Sequence, residues 1–581
     1  MSYMEKYQEW LTNPAIDEET KQELRAIQDN AKEIEDRFYR ELEFGTGGLR
    51  GVIGAGTNRI NIYTIRKATQ GLSNYIKKEG EEAMKRGVVI AYDSRRFSPE
   101  FADEAARVLA ANNITAYVFE SLRATPVLSY AVRQLNAISG IVITASHNPP
   151  EYNGYKVYWE DGAQVTSPKD KAIIHEVNSI TDYETIATMG REEAESAGRY
   201  HVIGKEIDDA YIEELKKLII DPQVIKKEAK GFKIVYTPLH GTGNIPVRRI
   251  LDEIGFEHVY VVAEQELPDS EFSTVSYPNP EDIKAFELAL KLGKEKDADV
   301  IMATDPDADR LGVLAKAKDG SYVPLSGNNI GMLLMEYILK RKKEKGILPD
   351  NGAVIGTIVS TNMSRPIAKA YDVEFMEVLT GFKYIGEKIK EFKETGSHEY
   401  LFGFEESYGC LIGTHARDKD AVVAVMGVAE LAAYYKSQGL TLYEALIELY
   451  EKYGYYMESL QSITLKGVEG VATIQYILSQ LRENAPKSFG GKQVLAARDY
   501  EEGVIKNFVT GETTSTGLPS SNVLYYELED DLWFCVRPSG TEPKVKFYFG
   551  VKGESEKAAL TLRQQLEEEV MKYIDQIIQS K

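Results

Sequence analysis

The sequence predicts an α/β protein of several domains: three similar α/β/α units with mixed, mostly parallel sheets, then a smaller C-terminal α+β domain. Three observations carry this expectation. The chain has 581 residues, more than a single hydrophobic core organises, so it must divide. From about residue 88 onward, short apolar β-branched runs alternate with stretches of helical period, the pattern of strands joined by helices. The alternation then restarts twice, and each round ends an apolar strand in a polar loop of chemically capable side chains. Three units aiming such loops at one cleft, beyond the carboxyl ends of their strands, is the simplest arrangement.

Residues 1 to about 43 are Glu-rich and helical in period, with Trp10, Leu11, Leu24, Ile27, Ile34 and Phe38 as an apolar stripe. They read as helices packed on the first domain. Next comes Phe44-Gly45-Thr46-Gly47-Gly48-Leu49-Arg50-Gly51, whose glycines allow close backbone approach and whose Arg50 can bind an anion. The first round predicts strands over 88–92, 114–119 and 140–144. Its helices run from Ser98, as N-cap before Pro99, to about Asn112, and over about 126–135. The second predicts strands over 233–237, 259–262 and 300–303, with a Gly-rich turn Leu239-His240-Gly241-Thr242-Gly243 and a helix around 283–292. The third predicts strands over 353–358, 373–376 and 400–402, and helices near 363–370 and 384–392. Beyond about residue 455, strands are expected over 462–465, 523–528, 532–536 and 544–551, with helices near 470–483 and 556–578. The predicted domains are 1–206, 207–320, 321–454 and 455–581, the last join falling in the acidic, Tyr-rich stretch 447–456.

Lys and Arg number 69 against 90 Asp and Glu, a net charge of −21. That field repels nucleic acid and anionic membranes. It would repel a phosphorylated small molecule too, unless cations gather locally. Two cysteines, Cys410 and Cys535, exclude a disulfide framework or a Cys-rich metal site and suit a reducing compartment. The N-terminus lacks the apolar core of a signal peptide, and the longest apolar run, 421–429, is too short to cross a bilayer. A cytoplasmic protein is expected.

Asp305-Pro306-Asp307-Ala308-Asp309-Arg310 is the sharpest motif. Three carboxylates at alternate positions after a strand can face one cation, and an oxygen-only set suits Mg²⁺. An EF-hand is excluded, because Arg310 stands where its glycine and Lys316 where its glutamate would be. A phosphatase or mutase with Asp305 as nucleophile remains a rival. Ser146, at the tip of the loop ending the apolar run Ile141-Val142-Ile143, is a candidate phosphoryl or acyl carrier. Glu405 and Ser407, in Gly403-Phe404-Glu405-Glu406-Ser407-Tyr408-Gly409, suit sugar hydroxyls, and Arg417 and Lys419 follow as cations. Arg537-Pro538-Ser539-Gly540-Thr541-Glu542-Pro543 makes an anion nest. No Walker loop occurs, so a phosphate monoester is implied rather than a nucleotide.

Together with Thr144-Ala145-Ser146-His147-Asn148-Pro149, these motifs resemble the α-D-phosphohexomutase superfamily, phosphoglucomutases most of all, from about Gly45 to Gly550. The resemblance implies a heart-shaped, four-domain enzyme around a central cleft, with a mobile C-terminal domain. It implies a phosphoserine at Ser146 and one Mg²⁺ held by Asp305, Asp307, Asp309 and the serine phosphate, with Arg310 supporting. Lys156 is implied near the proton transfer and is the candidate general base, with His147 a candidate helper or orienter. Arg50, Thr380, Gly381, Glu405, Ser407, Arg417, Lys419, Arg537, Ser539, Gly540 and Thr541 are implied in substrate binding. Glucose 1,6-bisphosphate would be the primer, sugar phosphates the partners, and the protein a monomer or weak homo-oligomer. Glu406 is similar to glucose-preferring members. Pro149-Pro150-Glu151, where many relatives have Pro-Gly-Gly, and the N-terminal extension keep phosphomannomutase and phosphopentomutase as alternatives. A phosphatase or a non-catalytic sugar-phosphate binding protein are readings from other classes.

Overall fold

In the computed structural model, which describes residues 2–45, 48–465, 467–539 and 544–581, the charged N-terminal stretch forms three short helices. These are Tyr3–Thr12, Glu18–Ala26 and Ala31–Phe38, each begun by a capping side chain from Ser2, Asp17 or Asn30. Trp10, Leu24, Ile34 and Phe38 are buried there with Tyr7, Ile16, Ala55 and Tyr63, while Leu11 and Ile27 flank the cluster half-buried. Trp10 meets Phe38 edge to face at a centroid distance of 5.7 Å and Tyr63 at 5.4 Å.

The first sheet has six strands in the order Gly48–Val52, Tyr152–Trp159, Ser139–Ile143, Val88–Tyr92, Ala116–Phe119, Tyr200–Ile203. The last four are mutually parallel; Tyr152–Trp159 pairs antiparallel with Ser139–Ile143, and Gly48–Val52 pairs antiparallel with Tyr152–Trp159 at the edge. All five residues of Ser139–Ile143 are buried, so the strand reads as a continuous apolar run. Ile141 and Ile143 face helices Ile62–Glu79 and Ser98–Ala111, while Gly140 faces Leu128 and Val132 of helix Thr125–Gln134. Helices therefore cover both faces. The second sheet runs Tyr322–Leu325, Leu311–Lys316, Val300–Thr304, Lys233–Thr237, His258–Val261, with the last three parallel and the first two antiparallel. Glu399–Phe404 pairs antiparallel with Cys410–Ile412, and the apolar run lies in helix Ala421–Ser437, which Asp420 caps. No helix among the described residues is long and apolar enough to cross a membrane.

These elements belong to one compact unit, Met1–Ile330 with Phe382–Leu442; a second comprises Gly331–Gly381 and Tyr443–Lys581. In the second, Gly352–Thr357 and Glu374–Val378 pair in parallel. Its C-terminal sheet is antiparallel throughout, in the order Tyr455–Thr464, Lys544–Gly553, Trp533–Pro538, Leu524–Leu528, Lys492–Asp499, Val504–Asn507, Thr513–Ser515. Helices Gly467–Glu483 and Glu556–Gln579 bury Ile477, Leu481, Leu566 and Val570 against Phe534, Phe547 and Phe549.

Two expectations need correction. Ser98 is the first helical residue rather than the N-cap; Phe97 takes that place at φ +62°, and the Ser98 hydroxyl is spent on Asp93. Around 283–292 the chain forms a 3₁₀ turn, Ile283–Phe286, before helix Glu287–Lys296. Over 447–456, where the last domain join is expected, helix Leu442–Tyr453 runs into strand Tyr455–Thr464 through Gly454, at φ +108°. Because the N-terminal helices close on Phe38, Phe38→Ala should cost about 3–5 kcal/mol of local stability. Trp10 fluorescence during thermal unfolding checks this, with an earlier transition expected in the variant.

Candidate active site

Three loops in the first unit share one construction: each connects a buried strand to the antiparallel strand that returns beside it. Loop 144–151 joins Ser139–Ile143 to Tyr152–Trp159, loop 305–310 joins Val300–Thr304 to Leu311–Lys316, and loop 405–409 joins Glu399–Phe404 to Cys410–Ile412. Each also holds a non-glycine residue in the left-handed region: Ser146 at φ +53°, Ala308 at +51°, Tyr408 at +67°. That conformation costs about 1–2 kcal/mol per residue, and persists where surrounding bonds over-determine it.

Ser146 is 3% exposed. Its amide donates to Thr144 Oγ1 at 2.8 Å, and its hydroxyl donates to Asp305 Oδ2 at 2.7 Å. His147 Nδ1 lies 3.2 Å from the same hydroxyl. Burial, then the nearby Arg310 and Arg50, pushes the His147 imidazole well below its ordinary value of 6.5, so it is neutral near pH 7. Arg50 donates to Asn148 Oδ1 at 3.3 Å from the edge strand Gly48–Val52.

Asp305, Asp307 and Asp309 are all buried, with one carboxylate oxygen from each within 4.8 Å of the others. Asp305 Oδ1 accepts the amides of Asp309 and Arg310, both at 3.0 Å. Asp307 Oδ2 accepts from Lys156 Nζ at 2.8 Å and Thr125 Oγ1 at 2.9 Å. Lys419 Nζ lies 3.3 Å from Asp309 and 3.9 Å from Glu405. Burial and the charges of Asp307 and Asp309 push the Asp305 carboxyl well up. Burial also raises Asp307, but Lys156 outweighs it and holds that carboxyl well below its usual range. Burial alone would lower Lys156 and Lys419, yet the carboxylates beside them keep both above the ordinary lysine value. Asp307 Oδ1 and Asp309 Oδ1 are buried with no hydrogen-bond partner. Buried orphan carboxylate oxygens in an oxygen-only cage are what a metal ion would satisfy, so the cage can hold one.

The other candidate residues differ in position. Arg310 pairs with Glu281 and with Asp309 at 3.8 Å, buttressing the cage. Lys419 crosses Gly409, whose Cβ, if present, would stand 2.0 Å from Lys419 Cδ. Arg417 is buried with its guanidinium on the carbonyls of Thr414 and Ala416, and burial, with Arg133, lowers it to about 10. Glu405 is buried at the cage margin, and Ser407 is half-buried. In the second unit, Thr380 and Gly381 follow strand Glu374–Val378, with Gly381 at φ +120°. Arg537 stands opposite Lys546 in strand Trp533–Pro538, and the Ser539 amide donates to Lys544 O at 2.7 Å. Gly540 and Thr541 lie outside the described residues, as do Thr46 and Gly47 of the early Gly-rich loop.

Three supports escaped the sequence reading. Thr125, wholly buried at the start of helix Thr125–Gln134, meets Asp307 twice, its amide donating to Asp307 O at 2.9 Å. Turn Leu239–Gly243 backs the cage: Thr242 donates to Pro306 O from its amide at 2.8 Å and hydroxyl at 2.9 Å, and a Cβ on Gly241 would stand 2.4 Å from Pro306 Cα. Asp93 and Arg95 underlie loop 144–151. The Thr-Pro start of a helix and an Asp-x-Arg after a strand were visible signals, but neither names the loop it supports.

Two consequences of this geometry are measurable. Thr125→Val removes the hydroxyl that orients Asp307, so Mn²⁺ affinity should fall about 10-fold, within the usual range for such second contacts, while Thr125→Ser retains it; direct metal titration decides. Below pH 6.5, the ordinary imidazole value, the unfolded chain binds a proton on His147 that the native chain refuses. Stability therefore falls as pH drops through that value, and His147→Gln removes this component. Melting temperatures of the two proteins between about pH 7.5 and 5.5 should converge toward the acid end relative to their neutral difference.

Models of the four phosphoglucomutase/phosphomannomutase domains match the chain in order. They are alpha/beta/alpha domain I over residues 41–184, II over 209–319, III over 326–453, and the C-terminal domain over 492–569. The phosphoglucomutase of Staphylococcus epidermidis is 36% identical over 519 residues, 89% of this chain and 92% of that protein. A putative phosphomannomutase structure from Thermus thermophilus aligns with a TM-score of 0.67 at 21% identity, over 92% of this chain and 99% of that one. The open form of Paramecium parafusin aligns at 0.67 and 18% identity, over 93% and 95% of the two chains. These two distant likenesses bear on the fold. With every domain matched in order and a relative at 36% identity along nearly the whole length, the chain belongs to the phosphoglucomutase/phosphomannomutase family.

Proposed function

We propose that the protein interconverts glucose 1-phosphate and glucose 6-phosphate through phospho-Ser146 and a glucose 1,6-bisphosphate intermediate. One observation carries the reading: the Ser146 hydroxyl stands 2.7 Å from Asp305, inside a cage of three buried aspartates, in a chain 36% identical to a phosphoglucomutase. In the forward direction the Oγ–P bond of phospho-Ser146 breaks as the free sugar hydroxyl bonds to phosphorus; that hydroxyl gives up its proton, and one is taken up by Ser146 Oγ, which releases it again when the second phosphoryl group returns. The bisphosphate turns over, its other phosphoryl group returns to Ser146 Oγ, and the sugar oxygen left behind takes up a proton.

Asp305, Asp307 and Asp309 are the residues to hold Mg²⁺, with a serine phosphate oxygen completing the set. The ion, when bound, would stabilise charge on the transferring phosphoryl oxygens. Lys156 is held as an ammonium by Asp307 and Asp309. In that state it donates a proton or neutralises charge, and it acts as a base only once those carboxylates are engaged elsewhere. Lys419 and Glu405 at the cage margin suit the sugar, and Arg50, Arg537 and Ser539 suit its distant phosphate. His147, neutral beside the serine, orients it. Asp305 is a poor nucleophile, since Oδ1 accepts two amides and Oδ2 the serine hydroxyl. A cytoplasmic setting fits the composition, with the charge of −21 arguing against nucleic-acid partners.

Ser146→Ala should abolish isomerisation of glucose 1-phosphate assayed with Mg²⁺ and trace bisphosphate; substantial residual turnover would return the nucleophile's role to Asp305. The same assay on mannose, glucosamine and ribose 1-phosphates tests the sugar, and glucose should give the highest kcat/KM. Release of inorganic phosphate in place of isomerisation would make the protein a phosphatase.

A further inference from the structure

The chemistry above uses Ser146 but not the buried pair beneath it. Strand Val88–Tyr92 runs straight into Asp93, and Arg95 follows, both wholly enclosed. The Arg95 guanidinium reaches four main-chain carbonyls, three in loop 144–151 and one at the start of strand Tyr152–Trp159. Nη2 donates to Ser146 O and Asn148 O, each at 2.5 Å, and Nη1 to Pro149 O at 2.8 Å and Tyr152 O at 3.0 Å. Asp93 works from the other side. Its Oδ2 accepts the Thr144 hydroxyl at 2.6 Å, and that same hydroxyl oxygen accepts the Ser146 amide at 2.8 Å. Asp93 Oδ1 accepts the Ser98 hydroxyl at 2.9 Å and the Arg95 amide at 3.0 Å. The two charges pair at 3.3 Å, and the Phe272 ring covers the guanidinium at 5.0 Å.

Both main-chain polar groups of Ser146 are thereby held, the amide through Thr144 and the carbonyl by Arg95. Ser146 is the residue whose φ, at +53°, is otherwise unfavourable. Burying a charged pair is costly unless its donors are used, and here the planar fork of arginine binds a set of carbonyls that no three-donor ammonium can span. We propose that Asp93 and Arg95 are positioning residues that hold Ser146 in the left-handed conformation aiming its Oγ at Asp305, and so orient the phosphoryl group it carries. This rests on Ser146 as the phosphoryl carrier.

The test uses the full-length protein with Arg95→Lys and Thr144→Val, which remove the fork and the relay hydroxyl. Displacing a reacting atom by about 1 Å costs about 100-fold in rate. Arg95→Lys should therefore lower kcat by at least about 10-fold, with KM within about 2-fold, and shorten the lifetime of phospho-Ser146 against water, read by intact mass. Thr144→Val should shift the same quantities in the same direction, and it serves alone if Arg95→Lys does not fold. A lower melting temperature with kcat and phosphoserine lifetime unchanged overturns the proposal, because it describes a purely structural pair. A crystal structure of either variant with Ser146 Oγ still hydrogen-bonded to Asp305 overturns it as well. That readout holds even if the parent never carries phosphate on Ser146, which would be a failure of the phosphoserine reading alone.

Discussion

Three carboxylates withdrawn from water into one cage set the terms for the first unit. With their oxygens within 4.8 Å of one another, each pair of charges repels by about 3–4 kcal/mol at the effective dielectric of a protein interior. The chain answers from several directions: Lys156 from the strand next to the edge of the first sheet, Lys419 from beyond the third loop, Arg310 from the cage's own loop, and two amides at Asp305. Elements far apart in the chain are drawn to one point because a shared charge problem has no local solution. The carboxylate oxygens still without hydrogen-bond partners are what a metal ion could take up.

The repeated loop construction explains how such different side chains come to face one place. A strand buried in the sheet and returned by an antiparallel neighbour anchors its loop at both ends, whereas a loop leading into a crossover helix is anchored at one. In each of the three, a residue in the left-handed region sharpens the turn and projects the chemistry outward. Antiparallel pairing recurs in the C-terminal sheet, where Arg537 in Trp533–Pro538 stands opposite Lys546 in Lys544–Gly553.

Much of this was legible in the sequence. The central strands could be read from apolar, β-branched runs because they are buried on both faces; 88–92 and 233–237 agree with the structure to the residue. The Asp-x-Asp-x-Asp spacing suggested a cage on an extended loop; the structure gathers the three carboxylates on a turn instead, with the Ala308 amide donating to Asp305 O at 2.9 Å and Ala308 itself left-handed. What could not be read were the antiparallel returns. Tyr152–Trp159 mixes glycine, lysine and tyrosine, since Gly154 must let its strand pass between the carbonyls of Thr144 and Leu49. Nor could the buttresses be found. Thr125, Arg95 and Thr242 act on loops far along the chain, largely through main-chain groups, and main-chain partners leave no mark on composition. Arg417 shows the converse: a cation beside a candidate site, yet engaged with the carbonyls of its own loop.

Gly409 carries a consequence of its own. Lys419 reaches the cage only by lying across the space that a side chain at 409 would fill. Even alanine there, the mildest replacement in chemical terms, would push the Lys419 ammonium away from Asp309 and Glu405 without altering any charged residue. A substitution at a position with no functional group at all would thus displace the lysine's charge much as a substitution of the lysine would remove it.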